Sequence, residues 1–357
     1  MHTQSKFRVL VVRLGAMGDI LHALPAVTAL RRAHPSWVID WLVEPAWRHL
    51  LTAEDGKPAE PLGPSQPLVN ELYLASVKAW GRAPLSVKTH REIKQLRGRL
   101  RQGRYDVVVD FQGAVRSAFL GRLAGARRLI GESDPREWAA RWLFTERVAT
   151  TGVHVIEQDM ELAAAVAGDA LEHVPPALPV DTQAEGWCDR LLAPLGSQPL
   201  ALLNPGAGWG SKRWPPERYA AVTSGLAANG FRVLVNAAPG EEAIAETIAA
   251  QSNQAGIPVR CSLPELTALT RRVALAIGGD TGPMHLACAL GRPVVGIYGP
   301  TDPARNGPYG TRFRVLRSPT SVRNHARLEQ PEAGLLTISP EDVLHAAGEV
   351  LAQDAAR

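Results

Sequence analysis

The sequence predicts an α/β protein made of two doubly wound domains in succession, and three features carry that prediction. Residues 7–43 read as strand, helix, strand. The same alternation starts afresh at Leu200. Between the two, the pattern weakens over 172–199, where Pro175, Pro176, Pro179, Pro194 and Pro199 interrupt it.

Taken in order, Phe7 to Leu14 reads F-R-V-L-V-V-R-L, a short apolar run of the kind a parallel sheet buries. A turn at 15–19 follows, and then Ile20, Leu21, Leu24, Val27, Leu30 and Ala33 recur at helical spacing before a second strand at 38–43. Further strands are predicted at 106–110 and 128–130, with helices at 92–101, 115–123, 136–144 and 157–167. Trp138 and Trp142 share one face of the helix expected at 136–144, which points to core packing or, with the surrounding arginines, to a membrane interface; core packing is the expectation. This first domain is expected over 1–175, with an interdomain linker at 176–199 that holds a short helix at 186–192. The second domain, 200–339, alternates strands at 200–203, 231–236, 259–261, 275–277 and 294–298 with helices at 216–228, 241–251, 264–272 and 283–290. A closing helix in 340–357 is expected to return to the first domain.

Composition narrows the class. Of 357 residues, 45% are hydrophobic and 21% charged, and the 32 Gly and 28 Pro are dispersed, which excludes disorder as the working state. Cys188, Cys261 and Cys288 are far apart and form no C-x-x-C pair, which argues against a disulfide framework or a zinc site and fits a reducing cytoplasm. No stretch of about 18 apolar residues is present, so a cytoplasmic protein without a membrane span is expected. Net charge is +4, but nine Lys or Arg fall between Lys78 and Arg104 against Glu92 alone, a segment suited either to an anionic partner or to a solvated helix face. It lacks interleaved aromatics, which disfavours nucleic acid.

Ligands of open parallel sheets bind beyond the carboxyl ends of the strands, so four strand-to-helix loops hold the candidates. In Gly15-Ala16-Met17-Gly18-Asp19, glycine lets the backbone approach a ligand, while Asp19 suits either chemistry or a helix cap. The run Asn204-Pro205-Gly206-Ala207-Gly208-Trp209-Gly210-Ser211-Lys212 combines flexible amides with a cation, a phosphate cradle or a plain turn, without Walker A spacing. Gly278-Gly279-Asp280-Thr281-Gly282-Pro283-Met284-His285 opens a helix whose first N–H groups face an anion or are merely capped. Tyr298-Gly299-Pro300-Thr301-Asp302-Pro303 is a post-strand loop or a rigid proline turn.

Together, Gly18-Asp19, Lys212-x-Trp214-Pro215, Asp280-Thr281-Gly282-Pro283-x-His285-Leu286 and Tyr298-Gly299-Pro300-Thr301-Asp302-Pro303 resemble glycosyltransferase family 9, the ADP-heptose:lipopolysaccharide heptosyltransferases. Met17-Gly18-Asp19-Ile20-Leu21-His22, Trp41-x-Val43-Glu44 and Tyr105-Asp106-x-Val108-x-Asp110-x-Gln112-Gly113 are most similar to its heptosyltransferase I group. The resemblance runs from about Arg8 to Gly310.

It implies a GT-B fold of two facing Rossmann-like domains, with acceptor on the first, nucleotide sugar on the second, and neither metal nor cofactor. The implied reaction is inverting transfer of L-glycero-D-manno-heptose from ADP-heptose to the Kdo of Kdo-lipid A, at the cytoplasmic face of the inner membrane and in peripheral contact only. A family 9 enzyme of other specificity, such as heptosyltransferase II, or a non-catalytic nucleotide-sugar binder on the same fold is the alternative. The resemblance makes Asp19 the general base and Lys212 the cation on the diphosphate. It assigns Gly18, Gly208, Ser211, Asp280, Thr281, Gly282 and His285 to the donor's diphosphate and sugar. The ribose acid falls on Glu241 or Glu242 and the adenine near Cys261 and Leu263. Lys88, Arg91, Lys94 and Arg97 are candidates for the anionic acceptor. One departure stands out: where the heptosyltransferase I group has two threonines before the lysine, this chain has Ala207 and Gly208.

Overall fold

The computed structural model describes residues 6–53, 62–324, 326 and 328–352, and the chain divides into two compact units, 1–180 and 181–357. The outer ends of the expected first domain and closing helix, 1–5 and 353–357, lie outside the described residues.

The first unit contains β1 (Arg8–Val12), α1 (Met17–Ala33), β2 (Val38–Val43), β3 (Leu72–Leu74), α2 (Val77–Arg82), α3 (Val87–Gln102), β4 (Val107–Asp110), α4 (Val115–Leu123), β5 (Arg128–Glu132), β6 (Glu146–Val148) and α5 (Val155–Ala167). Its six strands form one parallel sheet in the order β3-β2-β1-β4-β5-β6. The apolar run at β1 is central because it is buried on both faces: Val9, Leu10, Val11 and Val12 are all fully inaccessible. One face packs Leu10, Val12 and Val108 against Leu96 and Leu100 of α3 and Ala118 and Leu120 of α4. On the other, α1 packs against α5.

The second unit contains α6 (Thr182–Leu192), β7 (Leu200–Asn204), α7 (Pro216–Ala228), β8 (Arg232–Ala237), α8 (Glu242–Gln251), β9 (Gly256–Arg260), α9 (Leu263–Thr270), β10 (Leu275–Gly279), α10 (Gly282–Ala289), β11 (Val294–Tyr298), α11 (Pro303–Asn306), β12 (Phe313–Arg317) and α12 (Pro340–Ala352). Its parallel sheet runs β12-β11-β10-β7-β8-β9. In both sheets the central strands are flanked by crossovers in opposite directions, so the loops after β1 and β4, and after β7 and β10, gather at the switch point where ligands of such sheets sit.

Three particulars differ from the sequence expectation. The segment expected as linker carries all of α6, whose Glu185 is paired with Arg271 and Arg272 just after α9, so it is part of the second unit. The closing helix, expected to return to the first domain, packs within the second unit: Val343, Ala346, Ala347 and Val350 of α12 join the core formed by Leu203, Val235 and Ile277 of the second sheet. The helix expected at 136–144 is only a 3-10 segment, Trp138–Trp142, and its tryptophans are not core residues; they are 59% and 65% exposed. Helical spacing set them on one face, but Ala140 and Phe144 are the positions that turn inward, with the Phe144 ring lying against Gly131.

Candidate active site

In the first unit the site is built on the β1–α1 loop. Asp19 is the third residue of α1, where its Oδ2 accepts the Ala16 N–H (2.9 Å). It therefore acts as a helix-start acceptor, as its position allows. Its other oxygen, Oδ1, lies 3.4 Å from Arg13 Nη2; the arginine side chain is 7% exposed and that of Asp19 35%. Arg13 is itself held: Nε donates to the Asp19 carbonyl (3.2 Å), Nη1 donates to the Phe111 carbonyl, and its own carbonyl accepts from Trp41 Nε1 (3.0 Å). A buried guanidinium held by two backbone carbonyls thus faces a partly buried carboxylate that retains solvent access. The helix N-terminus adds a partial positive charge of its own.

The surrounding loops are pinned to the same strand edge. Gln112 Oε1 accepts the Leu14 N–H (2.8 Å), and Asp110 Oδ1 accepts the N–H groups of Gln112 (2.7 Å) and Gly113 (3.1 Å). Burial pushes the Asp110 carboxyl up to about 6, opposed by the Ser117 hydroxyl, these amides and the Arg13 charge. Gly15 adopts φ +154°, and a Cβ there would come 2.7 Å from Trp47 Nε1, so the close indole requires glycine. Beside that indole, Lys78 Nζ lies 6.0 Å from the ring centroid and 3.5 Å from Glu44 Oε2.

The second unit gathers its candidates around one buried carboxylate. Lys212 Nζ donates to Asp280 Oδ2 (2.6 Å) and to the Asp280 carbonyl (3.2 Å), while His285 Nε2 lies 3.1 Å from Oδ1. Burial alone would raise the Asp280 carboxyl, but the hydrogen bond and charge of His285 and the Lys212 ammonium outweigh it and hold the group well below the usual carboxylate range. Asp280 is therefore an ionised anchor that aims a lysine and a histidine. Lys212 also lies 4.7 Å from the Trp209 ring centroid. The loop is held from behind by Trp214, 2% exposed, whose Nε1 donates to the Ile338 carbonyl (3.2 Å) and whose ring meets Tyr219 edge to face at 5.0 Å. Trp214-Pro215 is thus the structural footing of the lysine.

Thr281 is the N-cap of α10, its side chain does not cap the helix, and Pro283 follows Gly282. Pro283 has no N–H and that of Met284 donates to the Thr281 carbonyl (3.1 Å), which leaves the N–H groups of Thr281 and Gly282, at the end of β10, as the candidates for an anion. Ser211 is buried, 2% exposed, with a hydroxyl that has no partner among the described residues, whereas Gly208 is exposed. Glu241 and Glu242, equivalent by sequence, are now separated. The Glu241 carboxylate sits against the loop after β7: a Cβ on Gly206 would fall 1.8 Å from Glu241 Oε2. Glu242 instead accepts the Gly240 N–H (2.8 Å) and lies 3.5 Å from Arg260. Cys261 and Leu263 lie at the end of β9 and the start of α9, both partly buried, and burial pushes the Cys261 thiol up to about 12.

Lys212, Asp280, Thr281, Gly282 and His285 are brought together, with Ser211 on the Lys212 loop and Glu241, at the start of α8, against Gly206 of that loop. Gly18 and Asp19 share the start of α1. The acceptor candidates do not cluster in the same way. Lys88, Arg91, Lys94 and Arg97 are all exposed along α3, which runs back from the carboxyl edge of the sheet at about 1.5 Å per residue, so Lys88 and Arg91 are nearest that edge and Arg97 recedes from it. Arg13 and Trp47 have no place in the sequence reading of the site, and Lys78 enters it only as the first residue of the basic segment. A cation at the end of an otherwise apolar buried strand was the available signal for Arg13.

Comparison with known proteins bears on the family and the fold. A model of glycosyltransferase family 9 (heptosyltransferase) matches residues 93–335. The chain is 30% identical over 317 residues to lipopolysaccharide heptosyltransferase 1 of Escherichia coli K12, covering 87% of this chain and 94% of that protein. It is 28% identical to lipopolysaccharide heptosyltransferase 1 of Pseudomonas aeruginosa, covering 85% and 81%. The solved structure of E. coli heptosyltransferase WaaC with ADP matches with a TM-score of 0.77 at 26% identity, over 96% of this chain and 100% of that one. With a family match over most of its length and two parallel six-stranded sheets of GT-B type, this chain belongs to glycosyltransferase family 9, the heptosyltransferases, and is a glycosyltransferase.

Proposed function

We propose that this enzyme transfers L-glycero-D-manno-heptose from ADP-heptose to the Kdo of Kdo-lipid A, with inversion, in lipopolysaccharide inner-core synthesis at the cytoplasmic face of the inner membrane. An acceptor hydroxyl oxygen bonds to the anomeric carbon as the bond from that carbon to the diphosphate oxygen breaks, and ADP leaves with the electron pair. The hydroxyl proton passes to Asp19. Its carboxylate has lone pairs beyond those used by Ala16 and Arg13, and the fixed guanidinium keeps it oriented toward the attacking hydroxyl. Arg13 is a positioning residue here, acting through Asp19.

Negative charge developing on the leaving diphosphate is met by Lys212 and by the first-turn N–H groups of α10 at Thr281 and Gly282. Asp280 keeps Lys212 and His285 aimed, and Gly208 and Ser211 line the same loop. Glu241 accepts ribose hydroxyls, Glu242 being occupied elsewhere, and the adenine lies along Cys261 and Leu263. Among the described residues no group of three His, Cys, Asp or Glu is arranged to hold a metal, and Lys212 with a helix end is the electrostatic device available to the diphosphate. Among those residues, too, no helix is long and apolar enough to cross a membrane.

The heptose and acceptor assignment is carried by the 30% identity that extends over 94% of a heptosyltransferase 1. One observation favours a second reading, a family 9 transferase of other specificity: the phosphate loop carries Ala207 and Gly208 in place of two threonines. A thermal-shift series with ADP, UDP and GDP and their sugars separates the two, since a ligand that binds only the native state raises its apparent stability. ADP-heptose should give the largest shift. A larger shift with a uridine or guanosine sugar would contradict the proposal.

A further inference from the structure

We propose that the surface formed by α4 and the 3-10 segment at Trp138–Trp142 docks the enzyme on an anionic lipid headgroup layer; this rests on the membrane-held acceptor proposed above. Trp138 and Trp142 stand outward, 59% and 65% exposed, and meet edge to face at 5.9 Å. The Arg141 guanidinium lies 5.7 Å from both ring centroids. On α4, which packs against this segment, Val115 and Phe119 are four residues apart on one face and 39% and 51% exposed. Four large apolar side chains thus share one surface.

The charge on that surface selects the partner. Arg116, Arg122 and Arg136 are exposed, and neither they nor Arg141 form an ion pair among the described residues, whereas Arg99 and Arg128 of the same unit are each 2.8 Å from a glutamate oxygen. Glu137, next to Trp138, already accepts the Val115 N–H (2.8 Å). Indoles prefer the boundary where an apolar body meets a wet rim, and unneutralised arginines beside them suit phosphate headgroups. The patch is also rigid, since Ala140 and Phe144 are buried beneath it and Glu137 N–H donates to the Gly113 carbonyl (2.8 Å). That last contact places it at the edge of the first sheet that holds Asp19, because Gln112, next to Gly113, accepts the Leu14 N–H. A lipid-anchored acceptor would then be delivered on the side of the base.

The test is co-sedimentation of the full chain with vesicles of phosphatidylglycerol and phosphatidylcholine, against pure phosphatidylcholine. Wild type should bind the mixed vesicles, and salt should weaken it. Replacing Trp138 and Trp142 by Ala together should lower partitioning about tenfold, and Arg141→Glu should lower it roughly fivefold or more. Because these side chains are exposed, far-UV circular dichroism and ADP affinity should stay unchanged, which separates lost docking from lost folding. Transfer to a soluble Kdo acceptor should also persist in the tryptophan variant. Equal vesicle binding by that variant would overturn the proposal, as would equal binding to pure phosphatidylcholine, or wild-type dimerisation in ultracentrifugation that the tryptophan changes abolish. Vesicle binding by a wild type that transfers to no Kdo acceptor would overturn the functional reading and leave this surface standing.

Discussion

Replacing Lys212 by Met keeps the side-chain volume and removes the ammonium from a nearly closed cluster, in which the Lys212 side chain is 16% exposed and that of Asp280 8%. Removing one partner of a buried ion pair costs about 3 to 5 kcal/mol because the other charge is left uncompensated. Asp280 retains His285 at 3.1 Å, which places the loss at the lower end, about 3 kcal/mol. For a unit of this size that corresponds to a fall in Tm of about 6 to 12 °C. Adding Asp280→Asn removes the stranded charge, and the double variant should recover at least about 1 kcal/mol of that loss. ADP affinity follows a different course. A charge-assisted hydrogen bond contributes about 1.5 to 3 kcal/mol, and since Lys212 is already paired in the free enzyme the lower half applies, about 1.5 to 2.2 kcal/mol, so Kd should rise about 12- to 45-fold. Urea unfolding and titration calorimetry with ADP measure the two quantities. The account predicts that Asp280→Asn on the Lys212→Met background rescues stability and leaves ADP binding weak. Wild-type ADP affinity in Lys212→Met, or rescue of affinity together with stability, would refute the reasoning.

Asp19→Asn should lower turnover about 10²- to 10⁴-fold while ADP binding stays within a few fold, and Arg13→Gln should lower turnover further only on the wild-type background, not on Asp19→Asn; additive losses would show that Arg13 does not act through Asp19. Asp110 is held at about 6, above its unfolded value of about 4, so the stability it contributes is present at low pH and is lost as pH rises through that interval. Urea midpoints from pH 4 to 7 should show this loss in the wild type and not in Asp110→Asn; parallel profiles would contradict the assignment. Charge reversal at Lys88 or Arg91 should raise the acceptor KM more than reversal at Arg97, with ADP binding unchanged in each, because α3 carries Arg97 away from the site edge. Equal effects along the helix would point to a general field. Transfer should persist in excess EDTA, and loss restored by Mg²⁺ would show the diphosphate site to be incomplete.

The alternation of apolar runs with helical periods was legible because the strands of these sheets are buried on both faces: β1 and β11 read as uninterrupted apolar segments. β3 and β6 did not, being edge strands of three residues with mixed burial. The loops of the site were legible for a topological reason, since a parallel sheet leaves only its carboxyl edge free for ligands. What remained hidden depended on three-dimensional pairing. Arg13 lies inside a strand-like run, and its contacts reach Phe111 in the loop after β4. Glu241 and Glu242 are adjacent in sequence and differ only in which one the turn of α8 directs at Gly206. The tryptophans at 138 and 142 keep helical spacing, but a single 3-10 turn buries Ala140 between them and turns both outward.

The central claim is that this chain joins heptose to a Kdo acceptor using Asp19 as base. Its most direct test is mass spectrometry and NMR of the product formed from ADP-heptose and Kdo-lipid A in EDTA, with wild type and Asp19→Asn side by side. The account predicts a single added heptose whose anomeric configuration is opposite to that of the donor, formed by the wild type and nearly absent with Asp19→Asn. A product of retained configuration, or full transfer by Asp19→Asn, would contradict it.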